Sequence, residues 1–161
     1  MLNRLASEMA AKGGYVGIFT PQFSFQAEIY REVHLTLAPI ISESNKTEGI
    51  IRTISGGRVD FWTLLNPAAG RGRKYHLVLI DEAAFSKDCE MQETWERAIE
   101  PTLLDYKGTA YAFSTPRGVS PDNWFYQISE SSQWRKFTAP TSTNPYMDKE
   151  ELEKIRERTH P

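Results

Sequence analysis

Apolar positions along the chain switch between two spacings, and the switches mark out its elements. Over the first dozen residues Leu2, Leu5, Met9 and Ala10 recur at helical spacing, and Gly13-Gly14 ends that helix. Tyr15–Phe19 is a short run of strand type, halted by Thr20-Pro21. Phe23, Ala27, Tyr30, Val33 and Leu37 then return to a spacing of three to four, which predicts a second amphipathic helix. Residues Gly49–Ile54 and Val59–Leu65 flank Ser55-Gly56-Gly57-Arg58, the pattern of a hairpin. The run Tyr75–Ile80 is almost continuously apolar and bounded by charge, as expected for a strand buried on both faces of a parallel sheet.

The second half continues the alternation. Trp95, Ile99 and Leu103 predict a helix bent or ended near Pro101, and Thr109–Ser114 predicts another strand. Ser120-Pro121-Asp122 predicts a helix start with Pro at its first position, and Trp134–Thr138 a further strand. Asp148 and Glu151 form a variant capping box for a last helix reaching about Arg158. Strands alternating with helices predict an α/β fold with a mostly parallel sheet flanked by helices.

Composition narrows the class. The 161 residues are 40% apolar and 12% aromatic, enough for a packed core and too much for wholesale disorder. One cysteine, Cys89, excludes a disulfide framework and a Cys-rich zinc site, and the three histidines lie far apart. No apolar run is long enough to span a bilayer, and the first residues lack the apolar centre of a signal peptide, so an intracellular protein is the default expectation. Residues 1–80 hold 9 basic and 6 acidic side chains, and residues 81–161 hold 10 and 15. No basic stripe announces nucleic-acid binding by itself. Arg117 and the hairpin pair Arg52 and Arg58 are candidate contacts, with solvated surface charge as the alternative.

In open α/β sheets, ligands bind at the carboxyl ends of strands. Two such ends here are polar. Leu77-Val78-Leu79-Ile80 is followed by Asp81-Glu82, so two carboxylates emerge at the tip of a buried strand. An acidic side chain there can hold Mg²⁺, usually through water, while its neighbour orients or deprotonates an attacking water. The alternative is that the acidic pair only caps the next turn. The other end, Phe113-Ser114-Thr115-Pro116-Arg117-Gly118, combines small hydroxyls with a Pro/Gly turn and could sense a phosphate or a water; an ordinary Ser/Thr turn is the alternative.

These two motifs, LVLIDEAAF and AFSTPRG, resemble those of the ATPase domain of tailed-phage terminase large subunits, the motors that package DNA. The resemblance extends to Asn123-Trp124-Phe125-Tyr126, to FTAPT and NPY further on, and upstream to VGIFTPQFSFQAEIYREV. It implies a RecA-like (ASCE) P-loop NTPase-type fold, with residues 1–161 forming part of the ATPase domain. By resemblance, Asp81 holds Mg²⁺ through water, Glu82 is the catalytic base for hydrolysis of ATP, and Ser114, Thr115 and Gly118 form the coupling motif. Arg71, with Arg73 as second choice, is the candidate finger reaching the nucleotide of a neighbouring subunit. The resemblance further implies double-stranded viral DNA, a portal protein and a small terminase subunit as partners, a homo-oligomeric ring, and action in the host cytoplasm at the portal vertex of the procapsid.

The departure from the family pattern is the lack of G-x-x-x-x-G-K-[ST], the loop whose amides and lysine hold the phosphates. The first helix resembles the one that follows that loop. The expectations are therefore a domain incomplete at its N-terminus and without a nuclease domain, no ATP hydrolysis by these 161 residues alone, and weak stability or self-association. A superfamily 2 helicase fragment, whose DExx box DEAA echoes, and a non-catalytic decayed ATPase module are the alternative readings.

Overall fold

The computed structural model describes residues 1–86, 88–118 and 120–140, with residues 143, 144, 146, 148, 150, 153 and 154 beyond them. Contacts divide the chain into Met1–Glu130 and Ser131–Pro161.

In the first unit the elements run α1 (Leu2–Ala11), β1 (Tyr15–Thr20), α2 (Phe23–Leu37), a 3₁₀ turn (Ala38–Ile40), β2 (Ile41–Asn45), β3 (Ile50–Thr53), β4 (Arg58–Thr63), β5 (Leu77–Ile80), a second 3₁₀ turn (Ala83–Phe85), α3 (Asp88–Thr94), β6 (Thr109–Ala112) and α4 (Trp124–Glu130). The six strands form one sheet in the order β2-β3-β4-β1-β5-β6. Strands β4, β1, β5 and β6 are parallel, and β2 and β3 join antiparallel at one side. The expected α/β fold with a mostly parallel sheet is therefore present.

The two spacings of the sequence explain the layers. Val16, Ile18, Leu77 and Leu79 share a buried cluster with Leu2, Ala6 and Ala10 of α1 and Tyr30, Val33 and Leu37 of α2, so both helices cover this face. Alternation turns Phe19, Val78 and Ile80 to the other face, where they too are buried. Tyr75 lies across Gly17 there; a Cβ at Gly17 would come within 2.7 Å of the Tyr75 ring, so only glycine lets that ring approach.

Several elements differ from expectation. β2 was not legible, because its sequence ISESN is polar; it lies at the outer side of the sheet, where a polar strand is tolerated. The helix through Trp95, Ile99 and Leu103 changes character near Pro101, as expected, and differs only in its pitch: it runs as α3, a π turn (Trp95–Ile99) and a 3₁₀ turn (Glu100–Leu103). Residues 120–122 form a turn rather than a helix start, and Asn123 caps α4 instead: its Oδ1 accepts the Tyr126 N–H at 3.2 Å.

In the second unit, Trp134–Thr138 is not a strand; Trp134 closes a turn by donating its N–H to Ser131 O at 3.3 Å. Asp148 Oδ1 accepts the Glu150 N–H at 2.9 Å, as an N-cap does, while most of the expected last helix lies outside the described residues.

Candidate functional site

Pairing of β5 with β6 places Ile80 beside Ala112, so the two motifs leave the sheet side by side at the carboxyl ends of parallel strands. The Asp81 N–H donates to Phe19 O at 2.9 Å, which fixes the start of the acidic segment against the end of β1. Asp81 is half-buried. Burial first, and then the adjacent charge of Glu82, push its carboxyl above the usual carboxylate range. A hydrogen bond with the Glu82 backbone and the positive amino terminus ahead of α1 partly offset this.

Glu82 adopts a left-handed backbone, φ 48° and ψ 43°, which is unfavourable for a residue with a Cβ. Three contacts hold the turn. The Ala83 N–H donates to Phe113 O at 3.0 Å, the Ala84 N–H to Ser114 Oγ at 3.1 Å, and Asn123 Nδ2 to Ala84 O at 3.0 Å. Ser114 Oγ also lies 3.3 Å from Glu82 Oε2 and 3.2 Å from Thr115 O. The second motif thus grips the first through Phe113 and Ser114. Thr115 and Gly118 are exposed; Gly118 has φ 84° and nothing within 4 Å of where a Cβ would be. Arg117 lies over the Phe85 ring at 5.8 Å.

The loop before β5 separates its two arginines. Arg73 lies 3.9 Å from Asp60 Oδ2 and 5.9 Å from the centre of the Trp62 ring. Arg71 is exposed; its backbone N–H donates to Ala68 O at 3.0 Å, and its guanidinium has no hydrogen-bond, ion-pair or ring partner among the described residues.

Two residues that anchor these side chains, one beside Glu82 and one beside Arg73, were not singled out individually by sequence reasoning. Asn123 was visible only as part of an Asn-Trp-Phe-Tyr cluster, yet its side chain ties α4 to the turn behind Glu82. Asp60 is a buried carboxylate in the middle of β4, accepting from Arg58 Nε at 2.6 Å and from the Tyr75 hydroxyl at 2.9 Å. Tyr75 in turn accepts from Trp62 Nε1 at 2.8 Å. The visible signal was an acidic residue inside an otherwise apolar strand run.

A buried parallel sheet with an acidic pair at one strand end and a hydroxyl turn at the next defines an α/β domain of the RecA-like class. Within that class, the chain is similar over a short segment to phage terminase large subunits and has the fold of their ATPase domain. A scan against models of known protein families finds no match. In sequence, the chain is 41% identical over 58 residues to the terminase large subunit of Thermus phage G20c, which is 36% of this chain and 10% of that protein. The terminase large subunit of Thermus virus P23-45 matches to the same extent. The matched segment thus spans about a tenth of the length of these relatives.

In structure, the chain matches the large terminase ATPase domain of Thermus phage P74-26 with a TM-score of 0.59 at 24% identity, over 77% of this chain and 55% of that one. An arginine-to-alanine mutant of the same domain gives a TM-score of 0.59 at 23% identity, over 78% and 58%. At these identities the structural likeness establishes the fold.

Proposed function

We propose that this chain is the part of a viral DNA-packaging motor that carries the acid pair and the coupling turn of its ATPase. The observation that supports this most directly is the hydrogen-bonded junction between Glu82 and Ser114 at the carboxyl ends of β5 and β6. Asp81 and Glu82 are consecutive carboxylates, and burial followed by the charge of Glu82 raises Asp81, so a hard divalent cation would suit this donor set. No cluster of three His, Cys, Asp or Glu side chains gathers among the described residues, so water and phosphate oxygens would complete the shell of Mg²⁺.

When bound, Mg²⁺ would neutralise charge on the phosphates of ATP. Asp81 would hold it through water, and Glu82 would accept the proton of the attacking water. Ser114 would report the state of Glu82 to β6, and from there to the movement of DNA. Arg71, exposed and with its guanidinium unpaired among the described residues, is better placed than Arg73 to reach the nucleotide of a neighbouring subunit in a ring. Double-stranded viral DNA, a portal protein and a small terminase subunit are the proposed partners, at the procapsid portal in the host cytoplasm.

These 161 residues spell no phosphate-binding loop, so ATP hydrolysis requires one to be supplied. The test is a chimera in which the phosphate-binding strand and loop of a terminase relative are joined ahead of Met1. Hydrolysis by the chimera, abolished by Glu82→Gln, is the expected result. A well-folded chimera without hydrolysis would instead favour a module retained for assembly.

A further inference from the structure

At the opposite ends of the same strands the structure has a cavity of about 460 Å³, lined by Arg52, Arg58, Arg73, Lys74, Asp60 and the glycines of two loops. It lies between the tip of the β3–β4 hairpin and the end of the loop before β5, and of its lining residues only Arg73, the second-choice finger, was considered for the chemistry of Asp81 and Glu82. We infer that this cavity is a binding site for a phosphate group, held by the guanidinium groups of Arg58 and Arg73.

The charge balance carries the inference. Four cations and one carboxylate line the cavity, and that carboxylate, Asp60, is already committed. Its Oδ1 accepts Arg58 Nε at 2.6 Å, and its Oδ2 accepts the Tyr75 hydroxyl at 2.9 Å. Arg58 therefore spends one donor on Asp60 and keeps its two terminal amino groups without an acceptor among the described residues. Arg73 lies 3.9 Å from Asp60, beyond hydrogen-bond distance, so its whole donor fork is unspent. Lys74 and Arg52 pair outward with Asp105 at 2.5 Å and Glu43 at 3.0 Å, and both pairs are largely exposed.

Rigidity adds to charge. Asp60 and Trp62 hold the two arginines from behind, so little side-chain freedom is lost when an anion arrives. Gly72, with φ 79°, also lines the cavity, nothing lies within 4 Å of where its Cβ would be, and its amide has no partner among the described residues. Two planar guanidiniums and a free amide suit the tetrahedral oxygens of phosphate better than a single carboxylate. Such a group can come from free phosphate or from a nucleic-acid backbone.

Titration of the 161-residue chain at constant ionic strength tests this, with sodium phosphate in one arm and a mixed-sequence DNA duplex in the other. The amide signals of Gly56, Gly57 and Gly72 and the Trp62 indole signal are followed by NMR. Saturable shifts are expected. If phosphate alone produces them, the source is the free ion; if only the duplex does, it is the nucleic-acid backbone. Arg73→Gln should weaken binding about tenfold, and in the duplex arm should lower the salt dependence by about one counterion. Arg58→Lys keeps the ion pair with Asp60 and removes the fork, so it tests the site even if Arg58→Gln does not fold. Signals unmoved in both arms, or binding by both variants equal to the parent, would overturn the inference.

Discussion

Ser114 Oγ lies 3.3 Å from Glu82 Oε2 and accepts the Ala84 N–H at 3.1 Å, although Ser114 and Glu82 are 32 positions apart. One hydroxyl at the end of β6 thus holds both the carboxylate and the backbone that follows β5. Ser114→Ala leaves the Ala84 N–H without its acceptor and should cost about 1–2 kcal/mol, read from urea unfolding. Ser114→Thr keeps the oxygen and should recover most of that loss. An alanine variant as stable as the parent would show that the junction contributes nothing to the fold.

Glu82 and Lys107 are the two non-glycine residues with positive φ, 48° and 50°, among the described residues. Replacing either with glycine removes a steric cost of about 1 kcal/mol and should raise Tm by about 2–4 °C in a domain of this size. Glu82→Gly also removes the charge that raises Asp81, so it should stabilise more than Lys107→Gly at neutral pH. In the chimera carrying a phosphate-binding loop, only Glu82→Gly should abolish hydrolysis. Equal effects of the two variants in both assays would separate the left-handed turn from any role in catalysis.

The strands beside the site were legible because burial on both faces leaves an unmistakable apolar run: the expected Tyr15–Phe19 and Tyr75–Ile80 match the observed Tyr15–Thr20 and Leu77–Ile80 to within two residues. The hairpin was equally readable from Ser55-Gly56-Gly57-Arg58. What failed were elements whose formation depends on tertiary partners. β2 is a strand because it pairs with β3, not because of its own polar residues. α4 starts at Trp124, capped by Asn123, rather than at Pro121, and the Asn123 side chain also bridges to Ala84, 39 positions away. The Asp60 hub was illegible for the same reason, since its partners Tyr75 and Arg73 belong to the next loop.

Asp81 sets a pH dependence. Burial, followed by the charge of Glu82, holds its pKa above the ordinary value, so the folded chain binds this proton more tightly than the unfolded chain does. The resulting stabilisation is complete below the unfolded pKa, near 4, and is lost as pH rises through the folded pKa. Asp81→Asn removes the ionisation and should unfold at a higher temperature than the parent at pH 7, with the gap closing toward pH 4. Addition of about 10 mM Mg²⁺ should narrow the gap at pH 7 by stabilising the parent alone. A gap that does not change with pH would mean that Asp81 is not strained by ionisation.

The outer side of β6 bears on association. Among the described residues β6 pairs with β5 alone. Thr109 and Phe113 donate their N–H groups to His76 and Ile80, so alternation leaves the N–H groups of Ala110 and Ala112 on the outer edge. Tyr111 on this strand is 39% exposed and stacks on Phe113 at 6.2 Å. An unpaired strand with apolar side chains offers a template for another strand, and the 161-residue chain should sediment with a mass that rises with concentration. Ala110→Pro removes one outward donor without breaking a bond to β5, and the extended conformation it requires of Thr109 is already present in the strand. It should suppress association while leaving the melting temperature of the dilute protein within a few degrees of the parent. A parent that remains monomeric at high concentration, or a proline variant that associates as strongly, would rule out this edge as the route.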